Sequence, residues 1–189
     1  MERRPLETRF IDEPMRYTGK ELRSHFAYRN FNLIGDSLVA FVGGCEVKIG
    51  DLVDLADAKR KDGIFSEEML HFIGEFFGDD LEKTILRQRL LMAIIKDEVE
   101  ARTKRLLMRV GDDVYDGGAK LTVSIATASP VSTLIHAAVN VISEGTPVKT
   151  KGLRDYGIEA KPFGEAVLNR FKKELEGIRV ARCKVRGVA

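Results

Sequence analysis

The fold is decided by residues 106–141, which read LLMRVGDDVYDGGAKLTVSIATASPVSTLIHAAVNV. Apolar residues recur here with a period of two, which is typical of β-strands. We predict successive strands over residues 106–110, 114–115, 120–126 and 132–141. Asp116-Gly117-Gly118 is a tight-turn signal between two of them. Strands joined by such short connections favour an antiparallel sheet.

Outward from this stretch, the N-terminal part carries signals for a helix and two strands. Thr18-Gly19-Lys20-Glu21 has the form of a capping box and predicts a helix through about Phe31. Residues 36–42 and 45–49 are predicted to be strands of a hairpin that turns at Gly43-Gly44.

Two longer helices are predicted between that hairpin and the strand-rich stretch. Ser66, which two glutamates follow, is a helix-start signal, and the apolar positions in residues 69–77 recur at helical spacing. Asp79-Asp80 should begin another helix that runs to about Arg102. Its buried stripe is expected to consist of Leu81, Ile85, Leu86, Leu90, Ala93 and Ile94.

The C-terminal part completes the predicted fold with an amphipathic helix over residues 163–175 and a closing strand over residues 178–185. The order of elements contains no repeated βαβ unit, and no linker divides the chain. We therefore predict a single α+β domain over residues 1–189, with a mostly antiparallel mixed sheet covered by helices.

Composition and charge restrict the class of protein. The 189 residues are 44% hydrophobic and 32% charged, which fits a globular domain with a substantial core. A formal net charge of +2 does not favour nucleic acid or an anionic membrane as partner. No signal peptide and no bilayer-length apolar run is evident, so we expect a cytoplasmic protein with no membrane partner. Cys45 and Cys183 are expected to be reduced thiols, and association into a homo-oligomer stays open.

Strand alternation suggests a candidate site on one face of the sheet. If residues 127–131 connect two paired strands, each cross-strand pair has the same sum of residue numbers. That sum must be even for the apolar residues of both strands to lie on the core face. Thr122 then faces His136, Lys120 faces Ala138, and Asn140 lies diagonal to Lys120. One sheet face would thus carry an amine, a hydroxyl, an imidazole and a carboxamide beside small residues.

Two interpretations of this face stand beside each other. In the first, Lys120 and His136 are catalytic residues, and Thr122 and Asn140 bind the ligand in the space above the small residues. In the second, the face is the solvated side of an antiparallel sheet, and His136 is a structural histidine with a hydrogen-bond partner.

Two other groups of residues are candidates for a site. Arg23, His25 and Arg29 lie on one predicted helix, where the guanidinium groups of Arg23 and Arg29 could hold a phosphate or carboxylate. Arg23 or His25 could close the ligand site if that helix points over Lys120; the alternative is a solvated helix face. Glu67, Glu68 and His71 could bind a metal with aspartates of residues 51–57. We favour helix capping by these glutamates and predict no metal site.

Residues 113–121, followed by Val139-Asn140-Val141, resemble the biotin and lipoate protein ligases. Those proteins have a strand, a tight turn, a lysine that opens the next strand, and a strand ending in Asn-Val. A wider match is similar to a mainly archaeal family known as a domain of unknown function (number 366), which we associate with the fold of biotin ligases and class II aminoacyl-tRNA synthetases. This match rests on residues 22–28, 35–41, 66–72 and 81–90.

The resemblance implies a biotin/lipoate ligase-like fold and a ligase- or transferase-like enzyme. It implies that Lys120 neutralises a ligand carboxylate or phosphate and that Asn140 lies at a nucleotide or metal, so a nucleotide is the cofactor it suggests. The chain has no Trp and no Gly-Arg-Gly-Arg-like loop, the segment that wraps the acyl-adenylate in biotin ligases. The alternative is a non-catalytic module that binds RNA or a partner protein on the same fold.

Overall fold

The computed structural model of the chain describes residues 5–60, 63–144 and 148–188, without the side chain of Asp57. The main sheet has five strands in the order β1-β2-β3-β8-β7, and a small sheet has the order β4-β5-β6. Among the strands of the described residues, β1 and β2 pair in parallel and the other pairs are antiparallel, so the predicted mostly antiparallel mixed sheet is confirmed. In chain order the strands and α-helices are β1 (Glu7–Ile11), α1 (Phe26–Phe31), β2 (Ser37–Val47), α2 (Leu55–Arg60), β3 (Ile64–Phe76), α3 (Leu81–Thr103), β4 (Met108–Val110), β5 (Asp113–Asp116), β6 (Ala119–Lys120), β7 (Thr122–Ala128), β8 (Thr133–Asn140) and α4 (Ala160–Cys183).

The main sheet is covered on both faces, and each face has its own hydrophobic cluster. Leu70, Phe72 and Ala137 represent the helix face, which packs against α3 and α4. Phe41 and Ile73 represent the opposite face, which residues 11–33 partly cover. We name this second face the cavity face, because part of it borders the cavity described below.

The segment predicted as a helix from Ser66 to Phe77 is a strand, so this prediction is wrong. Strand β3 lies between β2 and β8 in the sheet, and its second half is buried on both faces. A strand buried on both faces has a continuous apolar run rather than an alternating one, and such a run also fits helical spacing. The backbone pairs on both sides outweigh the helix-start signal of Ser66.

The predicted hairpin at Gly43-Gly44 is also wrong, because β2 continues through both glycines with an irregularity between Gly43 and Cys45. A Cβ atom on Gly43 would lie 1.8 Å from the carbonyl oxygen of Met15. The glycine therefore allows another backbone segment to approach the strand closely instead of making a turn.

The helix predicted from Thr18 begins later, at Phe26. Glu21 accepts from the backbone N–H of Thr18 at 2.7 Å, so the capping interaction forms without a continuous helix. His25 adopts the left-handed conformation, with φ of 62°, and this prevents a continuous helix from Thr18 to Phe31. Its backbone N–H donates to both carboxylate oxygens of Glu75, at 2.8 and 2.9 Å, which holds this conformation in place.

Helix α3 begins after Asp80 as predicted, but it turns a different side to the sheet. Leu81 and Leu86, which we expected to be buried, are 41% and 64% exposed. The buried side instead includes polar residues that have partners on the sheet: the hydroxyl oxygens of Thr84 and Thr133 are 2.6 Å apart. The apolar residues fully buried on this side are Leu91, Met92, Ile95 and Val99.

Helix α4 continues to Cys183, so the closing strand predicted over residues 178–185 is wrong. Ile178 and Val180 are 54% and 62% exposed on the last turns of this helix. Their alternation with charged residues imitates a strand, although no neighbouring strand pairs with this segment among the described residues.

The register of β7 and β8 differs from the prediction. Val123 pairs with Ala138 and Ile125 with His136, whereas Thr122 pairs with Val139. The connection has four residues rather than five, and the Ser129 and Ser132 side chains close it at 2.9 Å. The residue numbers of each pair therefore add to an odd number instead of an even one, which turns β7 over relative to the prediction. As a result, Thr122 faces the helices, and the apolar Val123 and Ile125 share a face with His136.

The two cysteines do not form a disulfide in the described residues. Cys45 is buried in β2 and Cys183 is exposed at the end of α4, and both are free, as predicted. Within the described ranges, no helix combines the length and apolarity that crossing a bilayer requires.

Candidate functional site

A cavity of about 800 Å³ lies over the end of the cavity face where β3, β7 and β8 meet. Its floor includes Met69, Val123 and Ile125, which supply an apolar surface. Polar groups from β8 and from the small sheet, which includes β6, enter the same space. Residues 47–54 and 63–66 form another side. A concave site with apolar walls and a few polar groups is typical of small-molecule binding.

Lys120 enters this cavity from β6, just before the chain passes into β7. Its Nζ is 2.9 Å from Oδ2 of Asp113, and its side chain is 30% exposed. The backbone holds the residue on two sides, because its N–H donates to Lys149 and its carbonyl accepts from Lys151. The cation is thus fixed at its base while its head reaches the cavity.

The partner of Lys120 is a carboxylate in an unfavourable environment. Burial raises the pKa of Asp113 above its usual value, and the hydrogen bond and charge of Lys120 oppose this shift only in part. The Tyr115 hydroxyl donates to the same carboxylate oxygen at 3.4 Å. The carboxylate that pairs with Lys120 is thus destabilised by its burial.

His136 lies on the cavity face, where its ring forms part of the cavity wall. Its Nε2 is 3.1 Å from Nδ1 of His71, and Nε2 of His71 is 3.2 Å from the carbonyl oxygen of Gly43. The Tyr17 ring stacks on His136 with a centroid distance of 3.7 Å. Burial lowers the pKa of His71 to about 4, and burial together with the neighbouring His71 lowers the pKa of His136.

Asn140 closes the end of β8 at the same cavity. Its amide nitrogen donates to the carbonyl oxygens of Lys120 and Lys151, both at 3.3 Å. The residue is 5% exposed. The amide therefore joins the strand that carries Lys120 to the segment that runs beside it.

The structure brings together Lys120, His136 and Asn140 at one cavity but places the other predicted site residues elsewhere. Thr122 is buried on the helix face, where its hydroxyl accepts from the Val114 N–H at 2.9 Å, because of the register described above. Its predicted ligand contact is therefore not supported by the geometry.

Arg23 and His25 also lie away from Lys120. Arg23 is exposed and does not line the cavity. His25 lines a separate cavity of about 380 Å³ with Glu75 and Phe77. The left-handed turn at His25 separates these side chains from the helix on which we expected them to lie together.

The alternative metal site disappears with the helix that supported it. Alternation along β3 places Glu67 and Glu68 on opposite faces, and His71 hydrogen bonds to His136. In the part of the chain that the structure describes, which omits the Asp57 side chain, no group of three or more His, Cys, Asp or Glu side chains could hold a metal ion.

Sequence reasoning missed Tyr17, His71 and Asp113 as neighbours of the site. Asp113 could have been found, because the tight turn pairs Tyr115 with Lys120 and leaves Asp113 on the same face. His71 was hidden by its assignment to a helix. Tyr17 reaches the cavity through tertiary packing, for which its local sequence carries no signal.

Comparisons with known proteins agree with this fold. A solved protein of unknown function from Pyrococcus horikoshi is 38% identical, with a TM-score of 0.91 over 97% of this chain and 100% of that one. A biotin protein ligase from Aquifex aeolicus, solved with biotin and ATP, has a TM-score of 0.61 at 17% identity, covering 89% of this chain and 70% of that one. A putative lipoate protein ligase from T. acidophilum, with bound lipoic acid, has a TM-score of 0.58 at 13% identity, covering 92% and 87%.

The two ligases share the fold of this chain, which confirms the predicted biotin/lipoate ligase-like α+β architecture. The uncharacterized protein MJ0805 of Methanocaldococcus jannaschii is 40% identical over 177 residues, which cover 89% of this chain and 79% of that protein. The family model described as Domain of unknown function (DUF366) matches residues 6–186. The chain therefore belongs to the DUF366 family.

Proposed function

We propose that this protein binds a small molecule bearing a carboxylate or phosphate in the 800 Å³ cavity, with Lys120 as the counter-charge. The observation that carries the proposal is the Lys120 ammonium group at the edge of a cavity with an apolar floor. An anionic ligand would gain a charge-assisted hydrogen bond there, which is stronger than a neutral one.

The described lining of the cavity includes more carboxylates than cations, so an anion at Lys120 requires the negative charge beside that lysine to be neutralised. The carboxylates are those of Asp51, Asp54, Asp112 and Asp113, and the cations are Lys120 and Arg60. When a ligand anion takes the place of Asp113 beside Lys120, Asp113 loses the contact that holds its pKa down. Its carboxyl group can then take up a proton, so no second negative charge stays buried beside the ligand. Binding would therefore be accompanied by proton uptake at Asp113.

The rest of the cavity favours a ligand with an apolar body. Met69, Val123 and Ile125 would contact that body while the anionic group lies at Lys120. Biotin and lipoic acid, which are bound in the two solved ligases of similar fold, each combine a carboxylate with an aliphatic chain. They are therefore the first compounds to test, without being assigned as the natural ligand.

An enzymatic form of this function would be ligase- or transferase-like. Lys120 would face negative charge that develops on the ligand, and a nucleotide would be the co-substrate. Since the chain has no Gly-Arg-Gly-Arg-like loop, a biotin ligase-type enclosure of an acyl-adenylate is not part of the proposal. The low pKa of His136 makes it a weak base and favours a role as a hydrogen-bond acceptor.

The proposal is tested by ligand binding to the full chain and to a matched pair of lysine variants. Lys120→Met removes one of the two cationic side chains in the described lining of the cavity, and the Arg60 side chain stays. Lys161→Met removes a lysine that pairs with Asp12 at 2.5 Å outside the cavity. Thermal-shift screening and calorimetry would use biotin, lipoate, ATP and amino acids. We expect at least one anion to bind and Lys120→Met to weaken it roughly tenfold or more, since hydrogen bonds to charged groups contribute about 1.5–3 kcal/mol.

Calorimetry in buffers of different ionisation enthalpy would show whether Asp113 takes up a proton on binding. The proposal fails if no anion binds, or if both lysine variants weaken binding equally. Salt-sensitive RNA binding in place of small-molecule binding would instead favour the non-catalytic module.

A further inference from the structure

We propose that His71 is a positioning residue that keeps His136 in its Nε2–H tautomer, so that Nδ1 of His136 accepts a hydrogen bond from the ligand. The inference rests on the proposed function and deepens it. It predicts that the ligand carries an N–H or O–H donor in addition to its anionic group, and that this donor contacts His136.

The direction of the hydrogen bonds begins at the backbone. The carbonyl oxygen of Gly43 can only accept, so the proton of the His71 ring must lie on Nε2, 3.2 Å away. A neutral imidazole carries one proton, and Nδ1 of His71 is consequently an acceptor. The contact of 3.1 Å to His136 then requires that Nε2 of His136 donates. The remaining nitrogen of His136, Nδ1, is left as an acceptor.

The surroundings keep both rings neutral. Phe41 stacks against His71 at a centroid distance of 5.0 Å, and Tyr17 stacks against His136 at 3.7 Å. His71 is fully buried and His136 is 3% exposed. Among the described residues, neither ring forms a hydrogen bond or ion pair with a carboxylate. A proton added to Nδ1 of His71 would place two N–H groups against each other and break the hydrogen bond between the rings.

The free nitrogen of His136 retains access to the cavity. Fully buried polar side-chain atoms without a hydrogen-bond partner occur in the described part of the chain, but Nδ1 of His136 is not one of them. No hydrogen bond joins Nδ1 to a described residue, and the open space that His136 borders is the cavity. The stacked Tyr17 ring covers one side of the imidazole and fixes its plane.

This arrangement makes a prediction about ligand class. An acceptor buried in a cavity wall loses its hydrogen bond to water when a ligand fills the space, and leaving it unpaired weakens binding. Ligands that place a donor against Nδ1 are therefore favoured over ligands of the same shape that do not. Biotin and lipoate are suitable probes, because both carry a valerate chain but only biotin has N–H donors on its ring.

Nitrogen-15 NMR of the imidazole rings tests the tautomer directly, since the chain has only three histidines. In the wild type we expect His136 to be neutral and protonated on Nε2. His71→Phe keeps a flat ring but removes the acceptor, so the His136 signals should shift towards a mixture of tautomers. His71→Asn places a carbonyl oxygen near the position of Nδ1 and should restore the Nε2–H form. A wild-type His136 protonated on Nδ1, or unaffected by His71→Phe, would overturn the inference.

The two probes then test the ligand half on the full chain. Biotin should bind roughly tenfold more tightly than lipoate and shift the Nδ1 signal of His136, and His71→Phe should reduce that preference. Equal affinity, tighter lipoate binding, or binding of neither probe would count against a donor at His136. A Lys120-dependent ligand that leaves Nδ1 unchanged would overturn this inference alone. The expected tautomer without any Lys120-dependent ligand would instead defeat the proposed function.

Discussion

Acidification should destabilise this protein through the buried His71–His136 pair. The pKa of His71 is lowered from 6.5 to about 4 in the folded protein, chiefly because burial disfavours the imidazolium. The unfolded chain therefore binds a proton that the folded chain does not accept between these two pH values. The stabilising effect of a neutral His71 is fully present above pH 6.5 and is lost progressively as the pH falls towards 4.

The size of this effect follows from proton linkage. One proton of difference changes the free energy of unfolding by about 1.4 kcal/mol per pH unit. From about pH 7.5 to about pH 5, His71 alone should thus lower the stability by about 2 kcal/mol. His136 acts in the same direction, since its pKa is also lowered.

Urea unfolding at about pH 7.5 and pH 5 measures this loss. His71→Phe removes one of the two titrating rings, so the variant should lose about 2 kcal/mol less than the wild type over the same interval. His25→Gln removes a histidine outside the pair and should retain the wild-type loss. If His71→Phe loses as much stability as the wild type on acidification, the linkage argument is refuted. NMR titration of the two buried rings would decide the matter if the variant does not fold.

Three further predictions concern single positions. Gly43→Ala should lower stability by roughly 3 kcal/mol, since its Cβ would meet the backbone of the neighbouring segment, whereas Gly50→Ala, with open space around it, should change urea stability little. Burial raises the pKa of the Cys45 thiol to about 12, so a thiol reagent should label the exposed Cys183 first, and labelling of Cys45 should require unfolding; equal rates would contradict this. Asn140→Ala should lower stability by about 1–3 kcal/mol in urea unfolding, because two backbone carbonyl groups lose their donor; an unchanged midpoint would show that the amide does not join these segments.

The candidate site was predicted for reasons that were only partly correct. Lys120, His136 and Asn140 do line one cavity, but the register that we used to place them together is wrong by three residues. Thr122 pairs with Val139 instead of His136. Alternation distinguishes the two faces of a strand only when one face is solvated. Here β8 is buried on both faces and most of β7 is half-buried on both, so neither face is marked as the solvated one. Thr122 could therefore face the helices as readily as Val123 faces the cavity.

The sequence by itself determined the strand-rich stretch from Met108 to Asn140, the turn before Lys120 and the start of α3 after Asp80, because these features depend on local backbone preferences and on side chains nearby in the chain. Only the tertiary structure decided that residues 64–76 form the central strand, because its neighbours β2 and β8 satisfy its backbone and its buried faces have no period of their own. The same long-range packing brings Tyr17, His71 and His136 together, since the three residues lie in segments far apart in the chain.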